Sequence, residues 1–193
     1  MIRLATEGDI PAILAIYAPY IQETAYSFEY TVPTETEFAA RFRHHTHYCP
    51  WLVWEEDGTV LGYAYGAPAY ERAAYQWCAE VSIYLSPQAQ GRGIGNRLYA
   101  ALEKLLTLQG YRVFYAVVTD VNTGSVAFHQ ALGYRITAHF PRCGFKFSRW
   151  VGTIWLEKRP DFGDISVIPP VLWSEFVNID GNFRNILDIL SLS

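Results

Sequence analysis

Residues Glu80–Gly95 read EVSIYLSPQAQGRGIG. An apolar run ends at Ser86-Pro87 and passes into Gly91, Gly93 and Gly95. Ile94, Leu98, Ala101, Leu102 and Leu105 then recur at helical spacing, up to Gly110. The order is strand, proline-containing turn, glycine-rich loop, amphipathic helix. A helix N-terminus presents unpaired amides and the positive end of the dipole, and glycines let backbone approach an anion closely. The expected guest is a phosphate or pyrophosphate on the amides of Gly91, Arg92, Gly93, Ile94, Gly95 and Asn96. No Lys-Ser/Thr follows, so the loop is not a P-loop. Asn96 stands where a dinucleotide fingerprint has its third glycine. On the glycines alone, a plain turn without a ligand fits as well.

Outward from this stretch, strands and helices alternate. Ile2–Ala5 reads as a strand. Thr6 with Asp9, and Thr34 with Glu37, have capping-box spacing ahead of helical stripes at Ile10, Ile13, Leu14, Tyr17 and at Phe38, Phe42. Trp51–Glu55 and Val60–Tyr65 flank Asp57-Gly58, a hairpin turn. Trp77–Leu85 and Tyr111–Val118 are long apolar strands. A short helix over Ser125–Leu132 stops at Gly133, and Tyr134–His139 and Thr153–Glu157 close the sheet. The predicted class is α/β, a mixed sheet covered on both faces by helices.

With 193 residues, 51% hydrophobic and 18% charged, the chain is long enough for one domain of roughly 100–200 residues. Residues 1–160 carry equal numbers of acids and bases. The net charge of −4 comes from residues 161–193, which hold Asp161, Asp164, Glu175, Asp180 and Asp188 against Arg184 alone. We read 1–160 as the domain. Residues 161–193 read as an extension, packing a short helix near 182–191 on the body or on a second subunit. Such a charge balance offers no field for nucleic acid. No apolar run reaches the ~18 residues of a membrane span, and no export signal is visible. Cys49, Cys78 and Cys143 are widely spaced, as in a cytoplasmic protein with free thiols. His44, His45, His47 and Cys49 lack metal-ligand spacing and read as an exposed helix end; no metal is expected.

In the Trp77–Leu85 strand, alternation puts Glu80, Ser82 and Tyr84 on one face and Val81, Ile83 and Leu85 on the other. A carboxylate in so apolar a strand is costly unless paired or wetted, and partial burial raises its pKa toward that of a general base. The competing reading of Glu80 is an ion pair with Arg72 or Arg149. Cys78 shares its face, so a covalent route is open geometrically, without an evident histidine partner.

The ordered segments IRLATEGDIPAILAIY, SFE (Ser27–Glu29), EEDGTVLGYAYG, ERAAYQWCAEVSIYL, QGRGIGNRLYAAL, NTGSVAFHQALGY and GFKFSRW over residues 2–158 resemble the phosphinothricin/methionine sulfoximine acetyltransferases of the GNAT superfamily. The resemblance implies a GNAT fold whose two central strands splay apart. It also implies acetyl-CoA as co-substrate: its pantetheine beside Ile83, Leu85, Asn122 and Ser125, its pyrophosphate on the loop from Gln90 to Asn96, with charge from Arg92. Asn122 would serve equally as a helix cap. Glu80 is implied as base, and His129 as donor to the departing thiolate, the alternative being a packed helix histidine. A backbone N–H of residues 81–85 is the expected oxyanion donor. Phe28, Arg72, Tyr75, Lys146 and Trp150 match acceptor-pocket positions. Ser148 and Gly152 stand where the family tends to have Gly and Asp.

The implied reaction is direct transfer to the α-amine of a small amino-acid-like acceptor such as methionine sulfoximine, methionine sulfone or phosphinothricin, in a homodimer. Rival readings are an acetyltransferase of peptide N-termini or polyamines, and a non-catalytic acyl-CoA sensor.

Overall fold

The computed structural model describes residues 1–160, 168–179 and 182–191. Seven strands form one mixed sheet in the order β1-β2-β3-β4-β5-β7-β6: β1 (Ile2–Leu4), β2 (Trp51–Glu56), β3 (Thr59–Pro68), β4 (Cys78–Leu85), β5 (Val113–Thr119), β6 (Arg135–Lys146) and β7 (Arg149–Lys158). All neighbours are antiparallel except β4 and β5.

Helices α1 (Ile10–Gln22) and α2 (Glu35–Tyr48) cover one face. Their N-termini carry the two capping boxes, with Asp9 returned to Thr6 and Glu37 to Thr34. Beneath them lies an aromatic layer in which Trp51 and Tyr65 stack at 4.1 Å, with Tyr63 and Tyr84 beside them. The opposite face carries α3 (Ile94–Gln109) and α4 (Thr123–Ala131). Leu98, Leu102, Leu105 and Leu106 of α3 are fully buried there against Ala79, Val81, Phe114 and Leu156.

The C-terminal extension adds to this second core. Helices α5 (Trp173–Phe176) and α6 (Asn182–Ser191) bury Trp173, Phe176, Ile186 and Ile189 in the same cluster. The Gln109 side-chain amide donates to the carbonyls of Tyr48 and Val171, and the Trp77 indole donates to Ile168. Gly110 ends α3 at φ +111°, and a Cβ there would lie 3.1 Å from Pro170. α6 covers the span where a short helix was expected and contributes Ile186 and Ile189 to this core. Asp161, Asp164 and Asp180 lie outside the described residues.

The last two strands depart from expectation. β6 and β7 run to Lys146 and start at Arg149, seven residues longer than the predicted strand on one side and four on the other. The sequence conceals this hairpin because its turn, Phe147-Ser148, takes positive φ (49° and 58°) without glycine, and because the register shifts between Phe140 and Gly144, where Arg142 also has positive φ. Left-handed backbone costs a residue with a Cβ roughly 1–2 kcal/mol. Ser148→Gly is therefore expected to raise stability by about 0.5–1 kcal/mol, read as the urea midpoint. At Gly152 the contact is reversed: its N–H donates to Asp120 at 3.0 Å, and a Cβ would meet the Asp120 carboxylate at 2.4 Å and the Phe140 carbonyl at 2.8 Å. Asp at this position would clash and set two carboxylates together.

Candidate active site

The parallel pair β4–β5 is in register only at Cys78–Val113, Ala79–Phe114 and Glu80–Tyr115. Beyond Glu80 the strands separate, so the facing edges of both lose their ladder partners. Such edges need other partners. The gap is lined by Val81, Ser82, Ile83, Ala116, Val117 and Val118, closed at its inner end by Tyr99 and His129, and reached by Asn122 and Ser125. It continues outward into a groove of about 440 Å³ between Tyr20, Tyr26, Ile83, Leu85, Gln90, Gly91, Asn122, Ser125 and Phe128.

At the outer end stands the glycine loop. Gly91 and Gly93 adopt φ +71° and +76°, and open space lies where their Cβ atoms would be. The amides of Gly91, Arg92 and Gly93 have no backbone acceptor among the described residues, and those of Ile94–Asn96 form the free first turn of α3. Gly95 admits the Phe128 ring, 3.2 Å from where its Cβ would stand, which closes α4 onto α3. The loop thus presents a nest of N–H groups, suited to a phosphate oxygen. Arg92 is otherwise engaged: its guanidinium lies 2.8 Å from Glu56 on the β2–β3 turn. It tethers the loop to the end of β2, which leaves the backbone N–H groups as the loop's exposed donors.

Glu80 sits where the strands part. It faces the α1–α2 side with Ser82 and Tyr84, as alternation requires. Burial raises its pKa above the ordinary value. It forms no hydrogen bond or ion pair among the described residues, so the pairing with Arg72 or Arg149 is not made. Around it lie Tyr65, Tyr70 and Tyr115, with the Tyr70 ring tilted against Tyr75 at 4.5 Å and packed near Tyr115 and Trp155.

His129 is 3% exposed. Its Nδ1 is 2.7 Å from the Ser125 carbonyl and its Nε2 is 2.9 Å from the Tyr99 hydroxyl. A carbonyl only accepts, so Nδ1 carries the proton and Nε2 accepts from Tyr99. Burial lowers the ring's pKa, opposed by the Ser125 contact. The neutral ring has no proton at Nε2 to give. Both ring nitrogens are thus partnered within the fold. Asn122 caps α4, its side-chain oxygen accepting from the Ser125 amide at 3.2 Å, while the residue also lines the groove.

The family model described as "Acetyltransferase (GNAT) domain" matches residues 2–155. A phosphinothricin N-acetyltransferase of Alcaligenes faecalis is 36% identical over 168 residues, 86% of this chain and 85% of that protein. An L-methionine sulfoximine/L-methionine sulfone acetyltransferase of Salmonella typhimurium is 32% identical over 83% of this chain and 94% of its own length. The crystal structure of a GNAT superfamily phosphinothricin acetyltransferase from Sinorhizobium meliloti, in complex with AcCoA, superposes with a TM-score of 0.81 at 34% identity, covering 90% of this chain and 97% of that one. The chain is a GNAT acetyltransferase of the phosphinothricin/methionine sulfoximine type.

The residues expected to form the acceptor pocket of this acetyltransferase are dispersed. Tyr75 joins the aromatic group beside Glu80. Arg72 instead lines a separate cavity that shares no residue with the groove. Lys146 is buried, and its ammonium donates to the Ser27 carbonyl at 2.7 Å; it ties the β6–β7 hairpin to the α1–α2 loop. Phe28 lies on Gly144, where a Cβ would meet its ring at 2.4 Å. Trp150 is 61% exposed and packs edge-on against Phe145.

Sequence reasoning overlooked Tyr20, Tyr26, Tyr70, Tyr99 and Tyr115. Tyr20 continues the α1 stripe three residues after Tyr17, which was the available signal; its hydroxyl donates to the Leu85 carbonyl at 2.7 Å. His45 is also misplaced by the sequence: it lies inside the last turn of α2, stacked on Tyr65 at 5.8 Å. Cys49 is fully buried against the Tyr111 hydroxyl.

Proposed function

We propose that the enzyme transfers acetyl from acetyl-CoA to the α-amine of a small amino-acid-like acceptor of the methionine sulfoximine, methionine sulfone or phosphinothricin type. The observation that carries this reading is Glu80: a half-buried carboxylate without a counter-charge among the described residues, at the point where the separated strands open toward the glycine loop. The chain fits acetyl-CoA on three counts: free amides at Gly91–Gly93, unpaired strand edges beyond Glu80, and a groove joining the two. That co-substrate supplies an acetyl group activated as a thioester.

Glu80 takes the proton that the attacking amine must lose, directly or through water. An α-amino group of a peptide has a pKa near 8, so a carboxylate raised by burial is a workable acceptor. The amides of β4 beyond Glu80 face the gap and stabilise negative charge at the carbonyl oxygen. The acceptor approaches on the α1–α2 side of the sheet, over Tyr70, Tyr75 and Tyr115. Tyr99 and His129 position one another at the inner wall. A positioning role predicts that His129→Gln lowers kcat without adding or removing a limb in its pH profile; loss of an alkaline limb would restore the proton-donor role.

Transfer is direct. Burial raises the Cys78 pKa, which keeps the thiol protonated and a poor nucleophile. Cys78→Ala is expected to retain turnover within about twofold of the parent; complete loss with normal folding would require an acyl-enzyme. Thiol release from acetyl-CoA, measured over a panel of amino-acid analogues, polyamines and short peptides, tests the acceptor class. A preference for peptides or polyamines would overturn it, and no turnover with any amine would leave a coenzyme-binding sensor.

We further propose a cytoplasmic homodimer. The three cysteines are free, in keeping with a reducing compartment. No helix among the described residues is long and apolar enough to cross a membrane. Phe140, Phe145, Phe147 and Trp150 expose an apolar surface on the β6–β7 hairpin, each about half exposed or more, and surfaces of this kind mark contacts between proteins. Trp150→Asp is expected to shift sedimentation from dimer to monomer; a monomeric parent would sink the assignment.

A further inference from the structure

Beyond Glu80 the edge of β4 is not bare at every residue. The Ser86 amide donates to the Leu61 carbonyl on the β3 side, and the backbone groups of successive residues in a strand point to opposite sides. The N–H and C=O of Leu85 therefore point away from β3, toward the gap that opens where the β4–β5 pairing stops at Glu80. The Tyr20 hydroxyl, near the end of α1, stands on both. It donates to the Leu85 carbonyl at 2.7 Å and lies 3.4 Å from the Leu85 amide as its acceptor. We propose that Tyr20 is a placeholder for the coenzyme: its hydroxyl holds the Leu85 edge until an amide of the pantetheine arm displaces it. This rests on the reading of acetyl-CoA as co-substrate.

Three observations carry it. The first is chemical. A phenolic hydroxyl offers one donor and an acceptor, the pair that an amide of an incoming chain offers to a strand edge. A strand edge without partners is costly, and at Leu85 the protein supplies the partner from its own α1. The second is position. Tyr20 lines both the gap and the outer groove, and the Gln90 side chain, at the start of the glycine loop, bonds to its hydroxyl. A ligand that joins the strand edge to the loop amides passes this residue. The third is room. Tyr20 also borders a cavity of about 670 Å³ between α1 and the β2–β3 turn, walled by Ile16, Pro19, Val60 and Pro87. A phenol ring is much smaller than this space. The ring touches Tyr84 edge-on at 5.2 Å, a contact that a small rotation can leave.

The exchange weakens coenzyme binding, because the Tyr20–Leu85 bond must break before the new one forms. Tyr20→Phe keeps the ring and removes the competitor. It also tells a placeholder from a residue that only supports the fold, since loss of mere support does not tighten a ligand.

The test is calorimetric titration of coenzyme A into the full chain, parent and Tyr20→Phe. The variant is expected to bind about fivefold more tightly, the equivalent of one net hydrogen bond. Its free form is expected to melt at a lower temperature than the free parent. 3′-Phospho-ADP, which has the nucleotide and pyrophosphate of the coenzyme without the pantetheine arm, is expected to bind both proteins alike. Unchanged or weaker coenzyme A binding in the variant would overturn the proposal, since the hydroxyl would then stay on Leu85 or touch the coenzyme directly. An equal gain with 3′-phospho-ADP would also overturn it. A crystal structure of the parent with coenzyme A is the second readout: the Tyr20 hydroxyl is expected off the Leu85 carbonyl, and a bond still made there would refute displacement. No binding of coenzyme A by the parent would remove the coenzyme reading together with this one, whereas a parent that binds and a variant that gains nothing would remove this one alone.

Discussion

Glu80→Gln is expected to reduce kcat about 10²–10⁴-fold and to make the protein more stable. The two effects have one cause. A half-buried carboxyl without a partner is held in its charged form against the cost of desolvation, which is the meaning of its raised pKa. Gln keeps the shape and removes the charge. The linkage has a definite sign. Because the folded-state pKa lies above the unfolded value, the folded protein binds the proton more tightly. Stability is therefore greatest below the unfolded carboxyl pKa of 4.5, falls as pH rises through the interval up to the raised value, and stays lower above it. In the Gln variant this fall is absent, so the gain in melting temperature appears at neutral pH and vanishes in acid. In the parent enzyme, kcat/KM declines as pH falls through the same raised pKa, which governs the free enzyme's base. Unchanged turnover in the variant would remove Glu80 from the reaction. A melting temperature that drops at neutral pH would reveal a partner for the carboxylate.

What could be read from the sequence was local chemistry. Thr6/Asp9 and Thr34/Glu37 satisfy orphan amides within four residues of chain, so their spacing alone announces a helix start. Asp57-Gly58 names its turn because both residues take positive φ, 49° and 76°. Gly91 and Gly93 were legible for the same reason, and the odd carboxylate among apolar neighbours exposed Glu80. The acceptor side was harder. Arg72, Lys146 and Trp150 carry polar or aromatic groups in matching segments, yet what each touches is decided by distant chain. The Lys146 ammonium goes to the Ser27 carbonyl, 119 residues away in sequence. Arg72 goes to a cavity whose far wall is Leu172. Tyr70, Tyr99 and Tyr115 became visible as site residues only when the separation of β4 from β5 gave the site a place. His129 shows the same limit: its residue type suits a proton donor, but two hydrogen bonds set its tautomer, and the one to Tyr99, in another helix, cannot be deduced from spacing.

Trp173→Ala is expected to destabilise the protein by about 3–5 kcal/mol, the usual cost of truncating a large buried aromatic. The argument rests on where the extension goes. Trp173 is 6% exposed and stacks on Phe176 at 5.6 Å. Both join a core otherwise made by the sheet and α3, together with Ile186 and Ile189. A loosely attached appendage would lose these contacts cheaply. Here the chain leading into it is anchored as well: the Val171 amide donates to the Gln109 carbonyl at 2.9 Å, and the Gln109 side chain returns a bond to Val171. Truncation at Trp173 removes the ring and leaves a cavity in the cluster that α3 and α6 share, beside α2. Urea unfolding should accordingly show one cooperative transition at a lower midpoint. The variant's residual folded fraction should still turn over acceptor, because no part of Trp173 reaches the groove. Two separate transitions, or a midpoint unchanged within error, would mean that α5 and α6 fold apart from the domain.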